Sequence, residues 1–90
     1  MSSSQRANYR LVSTKEFLKN LERLDKRINQ RIISSIEDLP RNPFLGKHLR
    51  GELKGMYSLR VGEYRVVYSI DERNRELVVH AAKHRSKVYE

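Results

Sequence analysis

The sequence predicts an α+β domain made of an N-terminal strand, a two-helix hairpin and a three-stranded antiparallel meander, with the helices packed on one face of the sheet. Two observations support this prediction. Residues 17–39 contain two stripes of apolar side chains at helical spacing, and residues 56–83 alternate apolar and polar side chains in three runs separated by turns. Residues 8–90 are therefore expected to form one domain, and the small polar residues 1–7 a disordered tail.

The elements before the meander each have a local signal. The segment YRLVS, residues 9–13, alternates as a strand does. Ser13 and Glu16 form a capping box that begins the first helix, Asp25 is placed to cap the second, and Pro40 follows its last turn. The two apolar stripes, both expected to be core, are Phe17, Leu18, Leu21 and Leu24, and Ile28, Ile32, Ile33, Ile36 and Leu39.

The meander is predicted as strands over residues 56–61, 64–70 and 76–83, after a loop over residues 41–55. Turns at Gly62-Glu63 and Arg73-Asn74 decide which residues face each other across the strands. The first turn pairs Val61 with Tyr64, Arg60 with Arg65 and Leu59 with Val66. The second pairs Ile70 with Leu77, Tyr68 with Val79 and Val66 with Ala81.

This register divides the sheet into two faces, because successive side chains of a strand point in opposite directions. The face expected under the helices carries Tyr57, Leu59, Val61, Tyr64, Val66, Tyr68 and Ile70. The open face carries Ser58, Arg60, Arg65, Val67, Ser69, Val78, His80 and Ala82, with His84 just beyond. Arg60 thus lies opposite Arg65, a like-charge pair that destabilises a hairpin. Ala82, on the other side of Arg65, leaves room above it.

The composition limits the classes of function. The 90 residues include 19 Lys and Arg against 11 Asp and Glu, a formal charge of +8, which is typical of a protein that binds a polyanion. The absence of cysteine excludes disulfides and thiolate metal sites, and the three histidines lack the spacing of metal ligands. No apolar run approaches a membrane span, and MSSSQRAN lacks the apolar region of a signal peptide. A cytoplasmic protein without metal, cofactor or membrane partner is expected.

Further polar groups are expected to converge on the open face. Lys54 comes just before the first hairpin, and Lys83, His84, Arg85 and Tyr89 follow the last strand. A guanidinium presents two parallel donors to the oxygens of a phosphate. The sequence therefore predicts a phosphate-binding site beside Arg60 and Arg65.

The segments YSLRVGEYRVVYSID and HAAKHRSKVY, behind a helical hairpin, resemble the RelE/ParE toxins of bacterial and archaeal toxin–antitoxin pairs, over about residues 9–89. The resemblance implies the RelE-like fold and one of two activities. RelE-type members cut mRNA in the ribosomal A site, whereas ParE-type members share the fold and poison DNA gyrase.

The resemblance implies catalytic roles for four residues. Arg65 matches the hairpin arginine that lies near the scissile phosphate, and Arg60 stands where a lysine or arginine is usual. Tyr89 matches the C-terminal tyrosine of the best-known RelE enzymes, and His84 the histidine of the "HR" pair in many relatives.

Four more residues are implied in RNA binding. Lys83 matches a C-terminal arginine of those enzymes, and Arg85 completes the "HR" pair. Ser58 stands where they carry an additional lysine, for which Lys54 is the candidate substitute.

These residues suit RNA cleavage without a metal, in which the 2′-hydroxyl attacks the adjacent phosphate. Arg60 and Arg65 would stabilise the extra negative charge on phosphorus. His84 and Tyr89 are the candidates for proton transfer, and their order as acid and base stays open. The resulting hypothesis is a ribosome-dependent endoribonuclease toxin that inhibits translation.

The resemblance also implies partners. They are mRNA, the ribosome with its rRNA, and an acidic antitoxin of the RelB type. Two alternatives remain at this point: a ParE-like gyrase inhibitor, and a basic RNA-binding module without catalysis.

Overall fold

A computed structural model of the protein describes residues 9–51 and 55–87. The elements, in chain order, are β1 (Arg10–Ser13), α1 (Lys15–Glu22), α2 (Lys26–Ile36), β2 (Lys47–His48), β3 (Met56–Val61), β4 (Tyr64–Asp71) and β5 (Glu76–His84), followed by a 3-10 turn at Arg85–Lys87. The strands form one five-stranded sheet in the order β1-β5-β4-β3-β2. The predicted α+β fold is confirmed. Neither helix in the described part is long and apolar enough to cross a membrane.

The two edges of the sheet add detail that the sequence left open. β1 lies at one edge and pairs with β5 in parallel, with Leu11 opposite Leu77. β2 lies at the other edge, antiparallel to β3. The prediction of a loop throughout residues 41–55 was wrong here, because β2 has only two residues and is too short to show an alternating pattern.

The first helix begins one residue later than predicted. Its N-cap is Thr14, whose Oγ1 accepts a hydrogen bond from the Phe17 N–H at 3.1 Å. The predicted Ser13–Glu16 capping box is wrong because Ser13 is still in β1, opposite Val79. The second cap is confirmed: Asp25 accepts from the Arg27 N–H at 2.9 Å.

The core lies between the two helices and one face of the sheet. The helices and the following turn contribute Phe17, Leu21, Ile32, Ile36 and Leu39, and the strands Val61, Val66, Tyr68, Leu77, Val79 and Ala82. Two residues of the predicted stripes lie outside the core, because Leu18 is 49% and Ile33 38% exposed. The apolar stripes are thus wider than the surfaces that pack on the sheet.

The β3–β4 hairpin has the predicted register, with Arg60 opposite Arg65. The β4–β5 register agrees at Ile70–Leu77 and Tyr68–Val79 but shifts between Val67 and Tyr68, where a β-bulge leaves His80 as an extra residue of β5. The remaining predictions for β5 were therefore wrong by one residue. Val66 lies opposite Ala82, not Ala81, and Arg65 lies opposite Lys83, not Ala82.

The bulge occurs where β1 ends and α1 begins. There, Thr14 Oγ1 donates to the His80 carbonyl at 2.9 Å, and the Ala82 N–H donates to Asn20 Oδ1 at 2.9 Å. β1 does not pair with β5 beyond Val79. The side chains of Thr14 and Asn20 make the hydrogen bonds to β5 that a neighbouring strand would otherwise make, so β5 can depart from a regular ladder there without leaving these backbone groups unpaired. Beyond the bulge, Ala82 and His84 belong to the helix-covered side, since they face Val66 and Tyr64.

Candidate active site

Three cationic side chains form a row across adjacent strands. Arg60 of β3 lies opposite Arg65 of β4, which lies opposite Lys83 of β5. Directly opposite residues share a face of a sheet, so all three lie on the face away from the helices. Arg60 and Lys83 are exposed and Arg65 is half-buried. We call Arg60, Arg65 and Lys83 the cation row.

One carboxylate reaches the cation row. Glu16, in the first turn of α1, places Oε2 3.5 Å from Lys83 Nζ, and both side chains are substantially exposed. In the described ranges, no carboxylate forms an ion pair with Arg60 or Arg65. Among the described residues the two arginines therefore have no carboxylate that competes with an incoming anion, whereas Lys83 already pairs with Glu16.

His84 lies on the other side of β5 from Lys83. Its ring contacts Tyr64 edge-on, with centroids 5.3 Å apart, and Nε2 lies 3.2 Å from Glu63 Oε1 while Nδ1 lies 2.9 Å from Ser86 Oγ. The placement of His84 just beyond the open face was thus wrong, because the bulge reverses the side to which residues 82–84 point. Glu63 and Ser86 fix the orientation of the imidazole.

A cavity of about 410 Å³ opens beside His84, between α1 and the end of β5. Its lining includes Asn20 of α1, Arg23 and Leu24 just after that helix, and Tyr64, Lys83 and His84 of the sheet. Lys83 therefore belongs both to the cation row and to the rim of this cavity.

His80, the extra residue of the bulge, is half-buried. Its Nε2 lies 2.8 Å from Ser69 Oγ. Burial lowers the pKa of His80, and the nearby charge of Glu16 opposes this only in part. A neutral ring hydrogen-bonded to a serine indicates a structural role for His80.

The remaining predicted site residues are placed as follows. Ser58 is on the open face between Lys47 and Val67 and is only 7% exposed. Arg85 is exposed, and its N–H donates to the Glu63 carbonyl at 2.7 Å. Lys54 and Tyr89 lie outside the described residues. Within residues 9–51 and 55–87, no three His, Cys, Asp or Glu side chains come together as metal ligands would.

Two acidic residues near the site were not predicted from the sequence. Glu16 was assigned to a helix cap and instead reaches Lys83. Glu63 was correctly placed in the hairpin turn, but its contact with His84 was not predicted. Glu63 is next to Tyr64 in the chain. Only the shifted register of β5 brings His84 opposite Tyr64, and so within reach of Glu63.

The arrangement matches known proteins over most of the chain. Residues 11–89 match the family described as "ParE toxin of type II toxin-antitoxin system, parDE". Two curated relatives from Mycobacterium tuberculosis (strain ATCC 25618 / H37Rv) are similar. Toxin RelG is 37% identical over 79% of this chain and 84% of its own length, and Toxin RelE is 38% identical over 83% of this chain and 80% of its own length.

Solved structures agree with the sequence matches. The toxin–antitoxin complex RelBE2 from Mycobacterium tuberculosis contains a chain with a TM-score of 0.80 and 35% identity, and the match covers 87% of this chain and 99% of that one. The archaeal RelE–RelB complex from Pyrococcus horikoshii contains one with a TM-score of 0.70 and 28% identity, covering 90% and 99%. With the family match over nearly the whole chain, this protein belongs to the RelE/ParE superfamily, as a toxin of a type II toxin–antitoxin system.

Proposed function

We propose that this toxin is a ribosome-dependent endoribonuclease that cuts mRNA in the ribosomal A site and so inhibits translation. The observation that carries the proposal is the cation row, Arg60, Arg65 and Lys83, which crosses three adjacent strands on an open face of the sheet. A gyrase inhibitor needs no phosphate-cleaving group, whereas a binding module without catalysis would use the same cations and is distinguished by the cleavage test below. The names of the similar proteins, Toxin RelE and Toxin RelG, favour the same side of the superfamily.

The proposed reaction uses the RNA's own 2′-hydroxyl. Its oxygen bonds to the adjacent phosphorus while the bond from phosphorus to the 5′-oxygen breaks, leaving a 2′,3′-cyclic phosphate and a 5′-hydroxyl. One proton leaves the 2′-oxygen and one is delivered to the 5′-oxygen. Negative charge increases on the phosphoryl oxygens at the transition state, and Arg60 and Arg65, which the β3–β4 register places opposite each other, are proposed to stabilise it.

Tyr89 is the residue proposed for proton transfer. His84, the other candidate from the sequence, lies on the opposite side of β5 from Lys83 and so faces away from the cation row, which leaves it outside the cleavage step. Glu63 and Ser86 hold the ring of His84 through its two nitrogens. The rate–pH profile of Tyr89→Phe tests its role, because loss of a general base removes the acidic limb of the profile and loss of a general acid removes the basic limb, whereas His84→Gln should leave the profile unchanged.

The ribosome is proposed to position the mRNA, since the site itself has no compact acid–base pair. Correct positioning alone can supply a large part of a rate enhancement. The formal charge of +8 suits binding to rRNA phosphates. Activity is therefore expected in the cytoplasm, where ribosomes are.

An acidic RelB-like antitoxin is the proposed partner that restrains the toxin. Charge complementarity favours its binding over the cation row, which would block access of RNA. Expression of the toxin alone should stop growth, and co-expression of an acidic protein encoded next to it should restore growth. Harmless expression of the wild-type toxin would count against the proposed activity.

The direct test compares cleavage of one mRNA free in solution and on programmed ribosomes. Wild-type protein should cut the ribosome-bound mRNA strongly and the free mRNA only slightly. Arg65→Ala should reduce the rate by about 10²–10³-fold. Arg73→Ala is the matched control, since Arg73 is an exposed arginine in the β4–β5 turn, at the opposite end of β4 and about 20 Å from Arg65.

Two results would overturn the proposal. Equal cutting of both mRNAs would remove the ribosome dependence. Inhibition of gyrase supercoiling by a protein that cuts neither mRNA would assign the chain to the ParE-like alternative.

A further inference from the structure

A second surface with the chemistry of RNA binding lies at the β2 edge of the sheet. The loop between α2 and β2 exposes Phe44 to 59% and Leu45 to 50%. Neighbouring large apolar side chains that are exposed contribute to the kind of patch found at contact surfaces.

The loop backbone is held firmly. Tyr68 Oη donates to the Pro43 carbonyl at 2.7 Å and accepts from the Gly46 N–H at 2.9 Å. A Cβ at Gly46 would lie 2.8 Å from both the Ser58 carbonyl oxygen and Tyr68 Oη, so the loop approaches the sheet as closely as a glycine permits. Because Tyr68 is fully buried, the exposed residues Phe44 and Leu45 lie on a loop anchored to the core.

A column of aromatic rings leads from the core to this edge. Tyr57 stacks on buried Tyr68 with centroids 5.4 Å apart, and His48 stacks on Tyr57 at 4.7 Å with an interplanar angle of 11°. Phe44 meets Tyr57 edge-on at 5.8 Å. The outermost ring, His48, is exposed. A flat ring placed on His48 would extend the column.

The chain segment that carries Phe44 and His48 is cationic, which favours an anionic ligand. From Pro40 to Gly51 the sequence has Arg41, Lys47 and Arg50, as well as His48, and no aspartate or glutamate. Arg41, Lys47 and Arg50 are all exposed. Nucleic acid combines what this surface offers, because its bases stack on aromatic side chains while its phosphates bind cations.

The edge is also close to the cation row. Lys47 pairs with Ser58, on the open face and two residues from Arg60 along β3. Two residues of a strand span about 7 Å. His48 lies opposite Tyr57, on the helix-covered face, so an RNA strand whose phosphate occupies the cation row would pass Lys47 and turn around the β2 edge to reach the column.

We propose that the β2 edge, formed by Phe44 and His48 with Lys47 and Arg50, binds a base of single-stranded RNA by stacking. The choice of RNA as the ligand rests on the proposed nuclease function, whereas the stacking geometry does not. This site is separate from the groups that perform the cleavage chemistry.

The test measures binding without cleavage. Fluorescence anisotropy at low salt compares a labelled 2′-O-methyl uridine heptamer, which lacks the attacking hydroxyl, with an abasic oligomer carrying the same number of phosphates. Wild-type protein should bind the heptamer about tenfold more tightly. Phe44→Ala and His48→Ala should remove most of that preference, and His48→Phe should retain it. Leu18→Ala is the matched control, because Leu18 is a similarly exposed apolar residue, at 49%, on α1.

Two outcomes would overturn the proposal. Equal affinity of the wild-type protein for both oligomers would mean that charge alone binds RNA. Binding of an acidic amphipathic peptide that depends on Phe44, with RNA binding unaffected by Phe44→Ala, would assign the surface to a protein partner.

Failure of the nuclease proposal would look different. Base-dependent binding by a wild-type toxin that leaves ribosome-bound mRNA intact would remove the nuclease and keep this site. Cleavage on the ribosome without base-dependent binding would remove this site and keep the nuclease.

Discussion

Arg60 and Arg65 lie directly opposite each other across the β3–β4 hairpin, with Lys83 next in the same row. Like charges facing each other across a hairpin destabilise it. The pair is therefore better explained by a ligand than by the fold, because a bound phosphate converts two repulsive neighbours into two partners of one anion.

Arg60→Thr should make the protein more stable and less active. Removing one cation relieves the repulsion, and threonine favours strands, so the free energy of unfolding should rise by about 0.2–1 kcal/mol. Cleavage of ribosome-bound mRNA should fall by about 10²–10³-fold. Urea denaturation and the cleavage assay measure the two effects.

The same pair predicts an anion effect. Pyrophosphate should stabilise the wild-type protein more than Arg60→Thr, because only the wild type has both guanidinium groups. A variant that is less stable than wild type without pyrophosphate would show that the two arginines do not repel each other in the folded protein.

Glu16→Gln should strengthen binding of polyanions. The Glu16–Lys83 ion pair is exposed, so its loss should change the free energy of unfolding by less than about 1 kcal/mol. A released Lys83 can neutralise one more phosphate, which should steepen the salt dependence of single-stranded RNA binding by about 0.7 in log–log slope. Glu22→Gln, also exposed on α1 and without an ion pair in the described part of the chain, should leave the slope unchanged.

His80 should make stability depend on pH. Burial lowers the pKa of His80 in the folded protein, whereas the unfolded chain takes up the proton near pH 6.5. The unfolded state therefore binds more protons between these two values, so stability falls as the pH drops below about 6.5 and levels off once the folded protein is also protonated.

The check is urea denaturation of wild type and His80→Gln between pH 5 and 8. Glutamine can still hydrogen-bond to Ser69 but does not titrate, so the difference in stability between the two proteins isolates His80. A difference that does not vary with pH would contradict the prediction.

Tyr68→Phe should destabilise the loop that carries Phe44. The change leaves the Pro43 carbonyl and the Gly46 N–H without their partner beside a fully buried ring, at a cost of about 1–3 kcal/mol. Tyr57→Phe is the control, because it keeps the stacked ring and removes a hydroxyl that makes no hydrogen bond among the described residues. Similar unfolding midpoints for both variants would show that the Tyr68 hydroxyl does not anchor the loop.

Most of the sheet could be predicted from the sequence because its signals are strong and local. The turn at Gly62-Glu63 and the alternation on either side of it fix the register that places Arg60 opposite Arg65. The bulge at His80 has no such signal. Ala81 and Ala82 are both small and fit either face, so the sequence there does not distinguish a straight strand from a shifted one.

The candidate site could be predicted only where the sheet register could be predicted. The two arginines depend on the regular hairpin and were placed correctly. Lys83 and His84 depend on the bulge, and the roles of Glu16 and Glu63 depend on contacts between elements distant in the chain. Such contacts are decided by tertiary packing and have no local pattern.

The bulge also affects how relatives should be aligned. A regular β5 would need one residue fewer between Val79 and the cation opposite Arg65. A toxin with a straight strand can thus present the same row of cations with a sequence one residue shorter here. An ungapped comparison with such a toxin would equate its cation with Ala82. Homologous positions after Val79 are therefore better assigned by hydrogen-bond partner on β4 than by count along the chain.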